Sequence, residues 1–134
     1  ESLLNITNAY SIINNKGHFI KPSVIKKIQS KNGKIIWENK LETKKIIDIE
    51  IVNNLNYLLE RSVKDGTGIA ASIDDRRIFG KTGTSDLNKD LWFIGSIKNL
   101  TTGVWIGFDD NRATNLSSGT SANFWRTYIK SINI

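Results

Sequence analysis

Apolar residues return every three or four positions near the start of the chain. Leu3, Ile6, Ala9, Tyr10 and Ile13 keep that spacing, which predicts a helix with one buried stripe. Ser2 stands at the expected N-cap, and the polar run 14–17 ends the helix with Gly17 near C′. After Pro22, "SVIKKI" is rich in β-branched residues, and "QSKNGK" separates it from "IIW". The Asn32-Gly33 pair between two such runs predicts a hairpin. Helical spacing resumes over 49–63 through Ile51, Val52, Leu55, Leu58 and Leu59, and stops where Gly66 and Gly68 interrupt it. Short alternating runs then predict strands over 77–84, 91–97 and 103–108, with "KNLTTG" joining the last two as an antiparallel pair. Residues 118–132 read as a closing helix, with Phe124, Trp125, Tyr128 and Ile132 on or near one face. The expected fold class is α+β, an antiparallel sheet flanked by helices.

Composition narrows the chemistry. The 134 residues, 39% of them hydrophobic, suffice for one domain or a portion of one. Without cysteine there is no disulfide, thiolate metal site or cysteine nucleophile. A single histidine, His18, argues against a Ser-His-Asp triad or a multi-histidine metal site, so no metal or cofactor is expected. The net charge of +6 is scattered in pairs such as Lys26-Lys27, Lys44-Lys45 and Arg76-Arg77. Nucleic acid is therefore not the expected partner; binding of that kind would show a strongly salt-dependent affinity. No apolar run nears the roughly 20 residues of a membrane helix. The chain opens on Glu1 with no leader pattern and reads as an excised segment.

The stretch "GKTGTS" at 80–85 carries the candidate chemistry. A phosphate loop would need glycine five positions before Gly80, where Asp75 stands. Read as a strand, it sends Thr82 and Thr84 to one side and leaves Gly83 bare between them. An extended peptide could lie along such an edge. The two hydroxyls would hold a terminal carboxylate, Lys81 would add positive charge, and the Thr84 N–H would face a developing oxyanion. The plain alternative is a polar edge strand. Asp109 and Asp110 read as a solvated strand end, and His18 as a surface residue beside Gly17.

The flanking blocks add specificity. "KTGTS", "DLWFIGSI", "TGVWIGFDD" and "SGTSANFWRTYI" follow "LLNITNAYSIINNKG", "IKPSVIKKI" and "VKDGTGIAA" in one order. Together they resemble the C-terminal part of the transpeptidase domain of class A penicillin-binding proteins, within the penicillin-binding/serine β-lactamase-like superfamily. The resemblance runs from about residue 2 to 129, and K-T-G is among that superfamily's signatures.

The resemblance implies a serine acyl-transfer enzyme that cross-links peptidoglycan stem peptides ending in D-Ala-D-Ala and is acylated by β-lactams. It implies catalytic roles for Lys81 and Thr84 and substrate binding by Thr82, Gly83 and Thr84. In this reading Lys81 gives electrostatic support and contacts the serine of a second motif. Gly66-Thr67-Gly68 resembles the family's G-T-G turn, with Thr67 a weaker candidate for the substrate groove. Asp90, Trp92 and Phe93 would start the neighbouring strand and pack the core. A parent protein anchored by an upstream transmembrane helix at the outer face of the bacterial cytoplasmic membrane is also implied.

Two motifs of that family, S-x-x-K and S-x-N, precede K-T-G. Here "SVIK" at 23–26 follows Pro22 in a β-like run, and "SAN" at 121–123 comes after K-T-G, so neither qualifies. Residues 1–134 then form the C-terminal portion of the domain, inactive alone, with an apolar face left open to self-association. Phe124 also stands where the family often has proline before the tryptophan of its last helix. A different reading is a non-catalytic module of the same descent that binds a cell-wall peptide or partner chain along its sheet edge. A serine β-lactamase is disfavoured by the "DLWFIGSI" and "TGVWIGFDD" blocks.

Overall fold

The computed structural model describes residues 1–134. Helix α1 (Leu3–Asn14) is capped by Ser2, whose Oγ accepts the Asn5 N–H at 3.1 Å. At its other end Lys16 takes the left-handed C′ position (φ 55°), with Gly17 following at φ 85°. Gly17 N–H then bonds to Ile12 O and Lys16 N–H to Ile13 O, a Schellman closure. Gly17 therefore sits one place beyond its expected position. Its glycine identity has a second cause: a Cβ there would collide with the Ile47 carbonyl oxygen.

Seven strands make three antiparallel sheets. β1 (His18–Ile20) pairs with β4 (Thr43–Lys45), a small sheet the alternation of residues did not predict. β2 (Lys27–Gln29) and β3 (Ile35–Glu38) form the expected hairpin, turning through Gly33 at φ 82°. The principal sheet has the order β5 (Phe79–Thr84), β6 (Asp90–Ile97), β7 (Leu100–Gly107). Its last connection is tighter than expected. Ile97 pairs with Leu100, so only Lys98 and Asn99 turn, Lys98 at φ 51°, and residues 100–102 join the strand.

Helix α2 (Ile49–Lys64) runs beside β5 and buries Val52, Glu60 and Val63. Helix α3 (Ser118–Ser131) covers one face of the principal sheet. Its buried stripe is Ser121, Ala122, Trp125 and Ile129, whereas Phe124, Tyr128 and Ile132 face outward. Only Trp125 of the four expected residues enters the core, because β6 offers one notch for a large ring. Phe93 and Trp125 meet edge to face there at 5.4 Å, an arrangement worth about 0.5–1.5 kcal/mol beyond burial. Val63, Ala71, Ile78, Ile97, Ala122 and Ile129 complete this core. On the opposite face α1 crosses β6 and β7, passing over Gly103, where a Cβ would strike Leu3, Thr7 and Ile94.

Candidate functional site

β5 is an edge strand, so half of its main-chain polar groups have no partner in the sheet. The register tells which half. Thr82 faces Phe93 and Thr84 faces Leu91, and the ladder continues with Ser85 N–H bonding to Asp90 O at 3.1 Å. Antiparallel ladders alternate. Residues 81, 83 and 85 therefore point their N–H and C=O toward β6, and Thr82 and Thr84 turn theirs to the open side. The expected outward Thr84 N–H follows from this geometry.

Two glycines keep the strand flat against its neighbour. A Cβ on Gly80 would meet the Phe93 ring at 2.6 Å and Ile94 O at 3.0 Å. One on Gly83 would stand 3.2 Å from Trp92 Cβ, so the bareness of Gly83 already has a cause inside the sheet.

Side chains gather around Thr82. Its hydroxyl donates to Thr67 Oγ1 at 2.7 Å. Lys81 bends back along the edge, donating to Thr82 O at 3.0 Å and approaching Thr82 Oγ1 at 3.4 Å and Thr67 Oγ1 at 3.5 Å. Lys81 takes part in no ion pair, which leaves its charge without a carboxylate. Thr82 is nearly buried, while Thr67, Lys81 and Thr84 are exposed. Thr67 thus lies in direct contact with the motif strand, closer than its weak sequence signal implied.

Below Thr84 the chain is pinched. Ser85 Oγ donates to Asp90 Oδ2 and accepts the Asp90 N–H, both at 2.8 Å, and Trp105 Nε1 donates to Asp90 Oδ1 at 2.9 Å. The Trp105 bond first, then the Ser85 bond, holds the Asp90 carboxyl below the usual carboxylate range. Between these ends Leu87 and Asn88 both adopt positive φ (59° and 53°). Asn88 O is tied down by the Thr114 hydroxyl at 2.6 Å and the Thr114 N–H at 3.1 Å. Asp90 is therefore a clamp for the loop after the motif as well as the start of a strand. Trp92, expected in the core, instead lies half-buried on the α1 face beside Trp105, while Phe93 is fully buried.

The other sequence candidates fall elsewhere. Residues 23–26 are not helical, and the Ser23 hydroxyl donates to Ile25 O. Ser121 is buried within α3, its hydroxyl donating to Ser118 O. His18 is half-buried in β1, less open than a surface residue. Asp109 and Asp110 are exposed, with Asp110 paired to Arg112.

A helix layer on an antiparallel sheet, with a Lys-Thr-Gly-Thr strand at its open edge, places the chain among the transpeptidase-like α+β proteins. The model of the penicillin binding protein transpeptidase domain matches residues 2–127, and the chain belongs to that family. Penicillin-binding protein 1A of Aquifex aeolicus is 35% identical over 130 residues, covering 95% of this chain and 18% of its own length. The crystal structure of penicillin-binding protein 1A from Haemophilus influenzae superposes with a TM-score of 0.85 at 26% identity, over 98% of this chain and 26% of that one. Penicillin-binding protein A from M. tuberculosis, solved as an imipenem acyl-enzyme complex, shares the fold with a TM-score of 0.84 at 18% identity, over 100% of this chain and 32% of that one. The chain thus spans a minor part of the relatives it matches.

Proposed function

We propose that residues 1–134 are the C-terminal portion of a bacterial peptidoglycan D,D-transpeptidase domain and supply the carboxylate-binding and oxyanion strand of its acyl-transfer site. The observation that carries this reading is the open edge of β5, where outward main-chain groups at Thr82 and Thr84 adjoin an ammonium that has no carboxylate partner. A stem peptide ending in D-Ala-D-Ala would add to this edge in extended form, its terminal carboxylate toward Lys81, Thr82 and Thr84. The Thr84 N–H would then donate to the scissile carbonyl oxygen as negative charge builds on it. Gly83 would let the peptide backbone approach. A β-lactam would occupy the same groups as a carboxylate-bearing mimic.

The attacking serine and its lysine belong, in this reading, to an upstream part of the same domain, so the 134 residues alone form no acyl-enzyme. The parent protein would be anchored by an upstream transmembrane helix and work at the outer, periplasmic face of the cytoplasmic membrane. No helix of this chain is long and apolar enough to cross one. In isolation, the faces of the first helix and the sheet that the upstream part of the domain would cover are expected to favour self-association, visible as concentration-dependent sedimentation.

The test is covalent labelling by a fluorescent penicillin. The full-length protein is expected to label, its Lys81→Ala variant weakly and the isolated 134 residues not at all. A folded full-length protein that never labels would overturn the transpeptidase reading in favour of a non-catalytic peptide-binding module.

A further inference from the structure

Lys81, Thr82 and Thr67 share a small set of donors and acceptors. An ammonium only donates, so Lys81 uses both hydroxyl oxygens as acceptors, at 3.4 and 3.5 Å. The two hydroxyls stand 2.7 Å apart and Thr82 donates to Thr67. Thr82 has then committed its only hydroxyl hydrogen, and it is the nearly buried member of the pair. One hydroxyl hydrogen is left over. It belongs to Thr67, which is exposed.

We propose that Thr67 presents the free hydroxyl donor of this anion site, the last link of a relay running from the Lys81 ammonium through Thr82. The inference deepens the proposed transpeptidase function and rests on it for the identity of the anion, a substrate or β-lactam carboxylate. Each donor in the relay polarises the next. The Thr67 O–H therefore reaches the anion strengthened by a positive charge behind it.

The turn that holds Thr67 suits this task. Gly68 N–H bonds to Ser62 O at 2.9 Å, and Ile69 N–H bonds to Gly66 O at 3.2 Å. A Cβ on Gly66 would meet Ser62 O at 2.9 Å, and one on Gly68 would meet it at 3.1 Å. Glycines on both sides thus let the turn press against the end of α2, fixing the Thr67 Cα before any ligand arrives. A side chain that merely tied the turn to the strand would need only the Thr82 contact. The approach of Lys81 to the same oxygen, with no carboxylate nearby, points to an anion.

Acylation of the full-length protein by benzylpenicillin, and by its methyl ester as a probe without the carboxylate, tests the assignment. Thr67→Val should lower the second-order acylation rate for the free acid roughly tenfold, the scale of one lost hydrogen bond to a charged group. The loss should fall mainly on pre-covalent affinity. The rate for the ester should stay within about twofold, and Thr67→Ser should restore most of the loss. Equal losses for acid and ester would mark a purely structural contact and overturn the proposal. So would a Thr67→Val protein that acylates like the parent, while the transpeptidase reading would stand. If the parent itself is not acylated, that reading fails, and calorimetric binding of N-acetyl-D-alanyl-D-alanine decides separately. Weaker binding in Thr67→Val would uphold the anion role; equal binding, or none in either protein, would end it.

Discussion

Gly95 lies under the indole of Trp125: a Cβ on Gly95 would stand 2.5 Å from Cε2 and 2.7 Å from Cζ2 of that ring, and 2.7 Å from Cε1 of Phe93. The sheet leaves a notch at this one residue, and α3 sets the fully buried tryptophan into it. Because β5 and β6 pair Gly80 with Gly95, the notch continues under the motif strand, where Phe93 occupies it.

Gly95→Ala is expected to destabilise the protein by about 1–3 kcal/mol, the range for overpacking a tight core. Urea unfolding followed by tryptophan fluorescence would measure it as a lower midpoint with unchanged slope. A change below a few tenths of a kcal/mol would mean that α3 can slide away from the notch.

Glu60 sets a pH dependence. Its carboxylate accepts from Arg77 Nη2 at 2.6 Å and Nε at 3.3 Å, and Lys64 Nζ lies at 2.9 Å. The Arg77 bonds first, then the Lys64 bond, lower its pKa to about 2. A lowered folded-state value stabilises the fold above the unfolded carboxylate range, and that stability is lost as pH falls from about 4.5 toward 2. Both cationic partners stand largely in solvent, so screening limits the gain to about 1–2 kcal/mol. The parent should exceed Glu60→Gln by this amount at pH 7, with the gap shrinking as pH falls below the unfolded carboxylate range and closing only below the folded value of about 2. A gap independent of pH would place the effect in packing.

Thr114 tethers the loop after the motif strand. Thr114→Val deletes the hydroxyl bond to Asn88 O and the acceptor for the Leu116 N–H at 3.4 Å. The Thr114 N–H bond to Asn88 O remains. The expected result is a loss of about 1 kcal/mol and faster amide exchange confined to residues 86–90 and Leu116. Exchange spread over the whole sheet would show that the tether supports the fold rather than the loop.

Much of this architecture was readable where periodicity and turn chemistry agreed. Helices α1 and α2 announced themselves through the three-four spacing around Leu3 and Val52, and the β2–β3 hairpin through Asn32-Gly33. The β1–β4 pair did not, because three-residue strands carrying Lys44 and Lys45 show no apolar alternation. In α3 the spacing marked a helix but grouped Phe124, Trp125, Tyr128 and Ile132 on or near one face. Only the notch at Gly95 selects Trp125 and Ile129 over Phe124 and Tyr128, and that depth is a property of the assembled sheet. At the site, Lys81, Thr82, Gly83 and Thr84 were visible as a motif. The Thr67–Thr82 contact joins residues 15 positions apart through the angle between α2 and β5, which no local pattern encodes.

The open side of β5 has one further consequence. A strand edge that welcomes a peptide also welcomes the edge of another copy, and such edges seed aggregation unless something blocks them. Lys81 projects from the middle of the six-residue strand, so two copies pairing edge to edge would bring like charges together without counter-ions. The residue that the proposed function turns toward a carboxylate would therefore also guard the edge. Lys81→Ala should raise concentration-dependent light scattering, and adding salt to the parent should do the same by screening the repulsion. If neither treatment raises scattering, the edge is protected by its twist and short length alone.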